Sequence, residues 1–302
     1  MSRPTLTLWQ LRDGRPGHDS QIRGLVTALA RHADLALVDF EVPLLGRLLI
    51  GRNPFAGRPA PDLLLGAGHA THLPLLLVRR RHGGRSVVLM RPSLPCRWFD
   101  LCLIPEHDGE APGDHVELTR GVVNAVRPAP GPRDGSGLLL IGGPSRHHTW
   151  DAADLLAQIG GIVTREPARC WTLTTSRRTP ESFAPAVAAL GLPNLEVLPG
   201  AATPPGWLAG RLATAAVAWV SEDSVSMVYE ALTGGAAVGL LALPPRGGTG
   251  RVLRGLDRLL VDGWVTTYAR WCEGGELPAP RTGFNEAERC ARLLLERWWT
   301  AG

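Results

Sequence analysis

The sequence predicts an α/β protein built as two Rossmann-like domains facing a central cleft. Three observations carry that expectation. Short apolar runs of strand length alternate with stretches of helical periodicity, the pattern of a mainly parallel sheet covered by helices. Glycine- or serine-bearing loops follow several of these strands. The whole pattern then restarts after the most linker-like stretch of the chain, Pro128-Ala129-Pro130-Gly131-Pro132-Arg133-Asp134-Gly135-Ser136. Two such halves leave a cleft between domains, a favoured place for ligands.

In the first half, Leu6–Leu11 reads as a strand with β-branched and aromatic residues, broken by Asp13-Gly14-Arg15-Pro16-Gly17-His18. A helix over Ser20–Arg31 places Ile22, Leu25, Val26 and Leu29 on one face. Ala33–Phe40, Asp62–Gly66, Ser86–Met90 and Leu101–Ile104 are further short strands. The second half opens with strand Leu138–Ile141 and helix Ala152–Ile159, then strand Trp171–Thr175 and a helix near Phe183–Leu190. Strand Ala215–Val220 leads to a helix from Val225 to Leu232, stopped by Gly234-Gly235, and to strand Ala237–Leu243. The amphipathic stretch Asn285–Trp299 is the last helix. The expected domains are residues 1–133 and 134–284, with 285–302 packing back toward the first.

Composition narrows the partners. At 302 residues, 44% hydrophobic and 20% charged, the chain buries a sizeable core, which excludes collagen, disorder and coiled coil. A net charge of +4 does not make nucleic acid the default partner. All 32 basic side chains are arginine, with no lysine. Base composition of a GC-rich genome accounts for that bias, although guanidinium forks also grip phosphate oxygens in pairs. The five cysteines are scattered without Cys-x-x-Cys spacing, so reduced thiols are expected and no metal site. Met1–Gln10 shows no apolar core of a signal peptide, and the best apolar runs, Leu73–Val78 and Leu138–Ile141, fall far short of the roughly 20 residues of a membrane helix. They read as buried strand or core. The expected location is the cytoplasm, peripheral on the inner face of the membrane.

Four loops at predicted strand ends carry chemistry. Asp13 to Gln21 lacks the three-glycine dinucleotide fingerprint; its glycines, Gly14 and Gly17, let backbone approach a ligand, with Arg15 and Gln21 alongside. Asp13 or His18 is the candidate base, against the plain alternative of a turn capped by Asp19 or Ser20. Gly142-Gly143-Pro144-Ser145-Arg146 suits phosphate, with Arg146 as counter-charge; the adjacent His147 and His148 point apart and make a poor metal pair. Ser176-Arg177-Arg178 puts two guanidiniums at a strand end, where a pyrophosphate or surface salt bridges would pair them. In Glu222-Asp223-Ser224-Val225-Ser226, the serines fall at a helix start, whose free N–H groups and dipole favour phosphate. Glu230, further along that helix, can bond a sugar diol, while an ordinary cap and a solvated glutamate are the plain alternatives.

Taken in order, Asp13-Gly14-Arg15-Pro16-Gly17-His18-Asp19-Ser20-Gln21, Pro105-Glu106-His107-Asp108, Gly142-Gly143-Pro144-Ser145, Thr175-Ser176-Arg177-Arg178-Thr179-Pro180 and Glu222-Asp223-Ser224-Val225-Ser226-Met227 resemble one family over nearly the whole chain. It is the bacterial branch of the ELM-type mitochondrial fission proteins, a glycosyltransferase-like family. More distantly, the plan is similar to GT-B glycosyltransferases of the cell envelope. There, a glycine loop opens each domain and a serine-to-glutamate helix holds the donor's diphosphate and ribose. That resemblance implies a GT-B-like fold and a nucleotide-diphosphate sugar donor. Gly142, Gly143, Ser145, Arg146, Ser176, Arg177, Arg178, Ser224, Ser226 and Glu230 fall on the donor side, with Glu222 and Asp223 toward sugar hydroxyls. The Gly-Arg-Pro-Gly-His loop departs from the family's denser glycine run, so the base stays open between Asp13 and His18.

The leading expectation is metal-free glycosyl transfer without a cofactor. Its leaving diphosphate would be met by arginines and the helix start, and its acceptor would be a lipid-linked or lipopolysaccharide glycan. A nucleotide-sugar 2-epimerase or hydrolase would use the same donor pocket with carboxylates Asp13, Glu222 and Asp223 around the sugar. A non-catalytic nucleotide-binding scaffold is the third reading. Leu44–Phe55 and Val78-Arg79-Arg80-Arg81-His82 set arginines beside apolar residues, which suits either an anionic membrane surface or a helix packed on the sheet.

Overall fold

The computed structural model describes residues 3–42, 55–246, 251–281 and 283–299, with backbone alone for 251–253. Twelve strands and nine α-helices run through the described residues in chain order: β1 (Thr5–Arg12), α1 (Pro16–Leu29), β2 (Asp34–Glu41), β3 (Leu63–Ala67), α2 (His69–His82), β4 (Arg85–Leu89), β5 (Leu101–Pro105) and β6 (Val116–Thr119). After β6 come β7 (Gly137–Ile141), α3 (Ala152–Arg165), β8 (Trp171–Thr175), α4 (Phe183–Ala188), β9 (Leu195–Leu198), α5 (Trp207–Thr214) and β10 (Val217–Ser221). The chain continues through α6 (Val225–Gly234), β11 (Ala237–Leu241), α7 (Arg251–Val261), β12 (Val265–Thr267), α8 (Tyr268–Cys272) and α9 (Glu286–Trp298).

They form two units, Met1–Ala125 with Asn285–Gly302, and Val126–Phe284. Each holds one six-stranded sheet, ordered β2-β1-β3-β4-β5-β6 in the first and β12-β11-β10-β7-β8-β9 in the second, with every named pairing parallel. The boundary precedes the expected residue 134 because the proline-rich stretch packs on the second unit. Ala129 N–H and Arg133 Nη1 both donate to the Ala213 carbonyl, at 2.9 and 2.7 Å.

Sheets covered on both faces need apolar residues at every strand position, which is why their strands read as unbroken runs. In the first unit, Leu6, Leu8, Leu63, Leu65, Val87 and Leu101 enter one core, while Trp9, Leu11, Leu64, Val88, Cys102 and Ile104 enter the opposite one. The second unit buries Leu139, Ile141, Trp171, Leu173, Val217 and Trp219 against Leu155, Ile159, Ile162 and Val163 of α3. Leu73–Val78, expected as strand or core, lies within helix α2. Burial of Thr71, His72, Leu75 and Val78 along one helical face outweighs the amide that Pro74 cannot supply. Leu44–Phe55 lies, apart from Phe55, outside the described residues. No helix among the described residues is long and apolar enough to cross a membrane.

The last helix belongs to the first unit. Ala287, Cys290, Ala291 and Leu294 of α9 share a core with Ile22, Leu25 and Leu29 of α1. Asn285 caps it by accepting from Glu288 N–H at 2.9 Å. The Glu288 carboxylate takes hydrogen bonds from Arg31 and, at 3.0 Å, from Arg292, and meets His32 Nε2 at 2.5 Å. Burial pushes this carboxyl up, but the hydrogen bonds and charges of Arg31 and His32 outweigh it and hold it at about 2. A depressed carboxyl stabilises the fold fully above its unfolded value and loses that contribution as pH falls through the folded one. Acid titration of the first unit is therefore expected to lose about 1–2 kcal/mol between pH 4.5 and 2 after discounting for solvent screening. Glu288→Gln should flatten the loss in pH-dependent denaturation.

Candidate active site in the second unit

Parallel sheets bind ligands where strand order reverses, at the carboxyl ends of the two diverging strands. In the second unit that point lies between β7 and β10, since β8 and β9 follow to one side and β11 and β12 to the other. The loops after β7, β8 and β10 converge there on one carboxylate, Asp223, whose side chain is 0% exposed. Its Oδ1 accepts from Ser221 Oγ at 2.7 Å. Its Oδ2 accepts from Gly143 N–H at 2.9 Å, Arg178 Nη2 at 2.7 Å and Ser224 Oγ at 3.2 Å. The carboxylate thus fills several acceptor positions, as a buried polar group must.

Arg178 braces the same hub. Its Nη2 also donates to Ser224 Oγ at 3.0 Å, and Nη1 donates to the carbonyls of Gly143 and Pro144, each at 3.2 Å. Ser176 Oγ donates to the Gly142 carbonyl at 2.9 Å, and Thr179 Oγ1 to the Ile141 carbonyl at 3.1 Å. Gly142 N–H donates to Ser221 Oγ at 2.7 Å. A Cβ on Gly142 would overlap both Asp223 and Ser224, and one on Gly143 would overlap the Arg178 carbonyl. These glycines let three loops approach each other.

Beside the hub opens a cleft of about 600 Å³ lined by Pro144, Ser145, Arg146, His147, Arg178, Asp223, Ser224, Val225 and Ser226. Helix α6 starts in it. Met227 and Val228 N–H bond back to the Ser224 carbonyl, so the amides of Val225 and Ser226 are the first-turn donors without an intrahelical acceptor. Arg146 and Ser226 are exposed. Ser145 Oγ instead accepts from His147 and His148 N–H, at 3.2 and 3.0 Å, and shapes the turn. His148 is buried, which lowers its basicity. Fixed donors at a helix start beside a guanidinium form an anion-binding concavity.

Several expected donor-side residues sit elsewhere. Arg177 is exposed and outside the cleft lining. Glu222 turns its Oε2 to Leu243 N–H at 3.2 Å, and burial raises its carboxyl, helped by Asp257. Asp223, expected on sugar hydroxyls, is sealed in the hub by its own hydrogen bonds. Ser176 straps the β7 loop from behind. Glu230, on α6, is not among the cleft residues; no hydrogen bond or ion pair reaches its carboxylate among the described residues, and burial pushes it up to about 7. Ser221 and Thr179, which tie the loops together, belong to the loops singled out in the sequence, where nothing local assigns either a role of its own. No cluster of three metal-ligating side chains forms among the described residues.

In the first unit the reversal lies between β1 and β3. Asp13 follows β1, and its Oδ2 lies 2.8 Å from His18 Nδ1. Arg15 N–H donates to Asp13 Oδ1 at 3.1 Å, while the Arg15 side chain is exposed. A Cβ on Gly14 or Gly17 would meet nothing within 4 Å, so neither glycine marks a close approach. Gln21 is buried with its amide 3.2 Å from Met90 Sδ. Met90 adopts φ +68°, an uncommon conformation for a side-chain-bearing residue.

Two parallel six-stranded α/β units of this kind define the GT-B class of fold. The chain belongs to the family described as Mitochondrial fission ELM1, which matches residues 16–298. Among solved structures it is similar to the UDP-GlcNAc 2-epimerase of Methanocaldococcus jannaschii, with TM-score 0.61, 11% identity, and 97% of this chain and 99% of that one covered. MurG of Acinetobacter baumannii matches with TM-score 0.54, 12% identity, and 98% and 100% covered. UGT2 of Phytolacca americana, solved with UDP-2fluoro-glucose and pterostilbene, gives 0.53, 8% identity, and 97% and 90%. No curated protein matches the chain.

Proposed function

We propose that the protein is a glycosyltransferase that takes its sugar from a nucleotide-diphosphate donor. The observation that carries this reading is the cleft at the β7/β10 reversal, which Arg146 lines together with Val225 and Ser226 of the first turn of α6. In glycosyl transfer the anomeric C–O bond to the diphosphate breaks and negative charge grows on the leaving oxygens. Preorganised donors aimed at that charge lower the barrier. In this reading the arginine and the helix start supply them. Glu230, one turn beyond the cleft-lining Ser226 on α6, accepts from the ribose diol once ionised. An epimerase reading needs carboxylates around the sugar ring. It is less well supported because Asp223 is sealed and Glu222 is tied to Leu243.

The acceptor is a glycan or glycolipid. Leu73, Leu77, Arg80 and Arg81 are exposed along α2, a stripe without acidic residues that suits an acceptor held at an anionic membrane.

A melting screen with UDP, GDP, ADP and CMP tests the donor site. A nucleotide at about 100 times its Kd should stabilise the protein by roughly 2.7 kcal/mol. Arg146→Ala should weaken that shift, because it removes one of the two exposed guanidiniums lining the cleft. No shift with any nucleotide overturns the reading and leaves a scaffold. Turnover of a nucleotide sugar without acceptor would instead favour the epimerase or hydrolase.

A further inference from the structure

The first unit holds a cavity of its own, about 440 Å³, lined by Asp62, Arg79, Arg85, Asp100, Trp298 and Trp299. Asp62 precedes β3, Arg85 opens β4 and Asp100 precedes β5, so the cavity sits at the amino ends of these strands. β3 and β4 are five residues long. About 17 Å of strand therefore separates it from the carboxyl ends at the β1/β3 reversal. Its polar groups are held in place. Ser86, fully buried, donates both its N–H and its Oγ–H to Asp100 Oδ2 at 2.8 Å, and its Oγ accepts from Asp100 N–H at 3.0 Å. The other oxygen, Oδ1, meets Arg79 Nη2 at 2.9 Å and Arg85 Nη1 at 3.5 Å. One carboxylate thus sets two guanidiniums side by side.

Asp62 is fixed from the other side. Its N–H donates to the Thr7 carbonyl at 2.8 Å, and its Oδ2 accepts from Thr7 N–H at 2.7 Å. Gly84, at φ +85°, lets the turn from α2 into β4 close on the start of β3: a Cβ there would stand 2.6 Å from the Pro61 carbonyl oxygen. Arg85 N–H then donates to the Asp62 carbonyl at 2.8 Å. Helix α9 supplies the aromatic wall. Leu294 and Leu295 bury in the core, and the chain end of the helix brings half-buried Trp298 and Trp299, edge to face with centroids 5.6 Å apart. Arg85 and Arg297 both lie over Trp298, at 5.7 and 5.8 Å from its centroid. Trp299 carries no guanidinium over its ring among the described residues.

Bonding capacity is left over on these fixed groups. The Arg85 side chain is 54% exposed, and its Nε and Nη2 have no acceptor among the described residues. Asp62 Oδ1 has no donor there, and neither indole N–H has an acceptor. The two aspartates balance the two arginines. The cavity thus offers donors, an acceptor and an aromatic face without net charge. A phosphate would meet Asp62, and an amine cation would meet Arg85. A sugar ring has hydroxyls that both donate and accept, and an apolar C–H face, so it matches all three features together. We propose that this cavity is a saccharide site, in which a neutral sugar unit lies on Trp299 and shares its hydroxyls between Arg85 and Asp62. The site lies within the first unit and needs nothing from the nucleotide cleft of the second.

The test titrates the full-length protein with methyl β-glucoside, methyl α-mannoside, methyl β-galactoside and N-acetylglucosamine, with inorganic phosphate and spermidine as charged controls. Binding is followed by nitrogen-15 NMR at the indole N–H signals of Trp298 and Trp299, assigned from Trp298→Phe and Trp299→Phe. At least one sugar should move both signals with a millimolar Kd, and neither control should displace it. Arg85→Ala and Asp62→Asn, both exposed, should each weaken that binding about 10-fold. Trp299→Ala should weaken it about 10-fold or more, read at Trp298. Trp299→Phe, which keeps a ring against the core, should retain most of it and so separates a lost platform from a lost fold. The nucleotide melting shift should be the same in all four variants. Indole signals that no sugar moves, sugar binding undiminished in Arg85→Ala and Asp62→Asn, or displacement by phosphate or spermidine overturns the proposal. Each of these results leaves the nucleotide cleft untouched.

Discussion

Replacing Asp223 with alanine is expected to cost the second unit about 3 kcal/mol and to abolish nucleotide binding. Removing one partner of a buried ion pair usually costs roughly 3–5 kcal/mol, because the other charge is left unpaired. Arg178 is 46% exposed and can rehydrate, which discounts that figure. Gly143 N–H and the hydroxyls of Ser221 and Ser224 also lose their acceptor, and each buried donor left alone adds to the cost. For a unit of this size, the transition should fall by roughly 2–4 °C per kcal/mol. Asp223→Asn separates charge from shape: its amide keeps one acceptor but turns a donor toward either Ser221 or the Gly143, Arg178 and Ser224 side. Denaturation monitored in the second unit should rank wild type, then asparagine, then alanine. Wild-type stability in Asp223→Ala would show that the loops hold together without the hub.

The second large effect has the opposite sign. Glu230→Gln is expected to stabilise the protein at pH 8 by about 2–3 kcal/mol while weakening nucleotide binding. Burial raises the Glu230 carboxyl from the usual 4.5 to about 7. A raised carboxyl makes the folded state hold its proton where the unfolded chain has released it. The destabilisation is therefore absent below pH 4.5, grows as pH rises toward 7, and is complete above it. Glutamine removes that penalty. It also removes the carboxylate expected to accept from a ribose diol, so the nucleotide melting shift should shrink as intrinsic stability rises. Thermal melts of both proteins from pH 4 to 9 check the stability part. Parallel curves would place the ionisation elsewhere.

Much of the architecture is legible in the chain because sheets buried on both faces leave short unbroken apolar runs. Leu63-Leu64-Leu65 and Leu138-Leu139-Leu140 are unmistakable in that respect. The second unit's restart is equally visible, although prolines 128–132 mark a stretch that packs rather than swings free. Elements with weaker signals escape the reading. β6, β9 and β12 are three or four residues long, too short to show a period, and α2 hides behind Pro74. The loops carrying the site were also legible as positions, since serine, glycine and arginine at strand ends stand out. Their partners were not. Gly143 and Asp223 are 80 residues apart, and Arg178 and Asp223 are 45 apart, so nothing local shows that the arginine grips the protein's own carboxylate. Likewise, Gly68 reads as an ordinary glycine until His18 is found against it.

The first unit is discontinuous in sequence, and that has a consequence for how the molecule comes into being on the ribosome. Chains usually fold domain by domain from the N-terminus as they emerge. Here α1 can pack on its sheet but must wait for its α9 partner until all of 126–284 has been synthesised. The inserted unit has its complete sequence first and can reach its native state earlier. The N-terminal sheet is therefore the late-maturing and aggregation-exposed part of the nascent chain, even though it is made first.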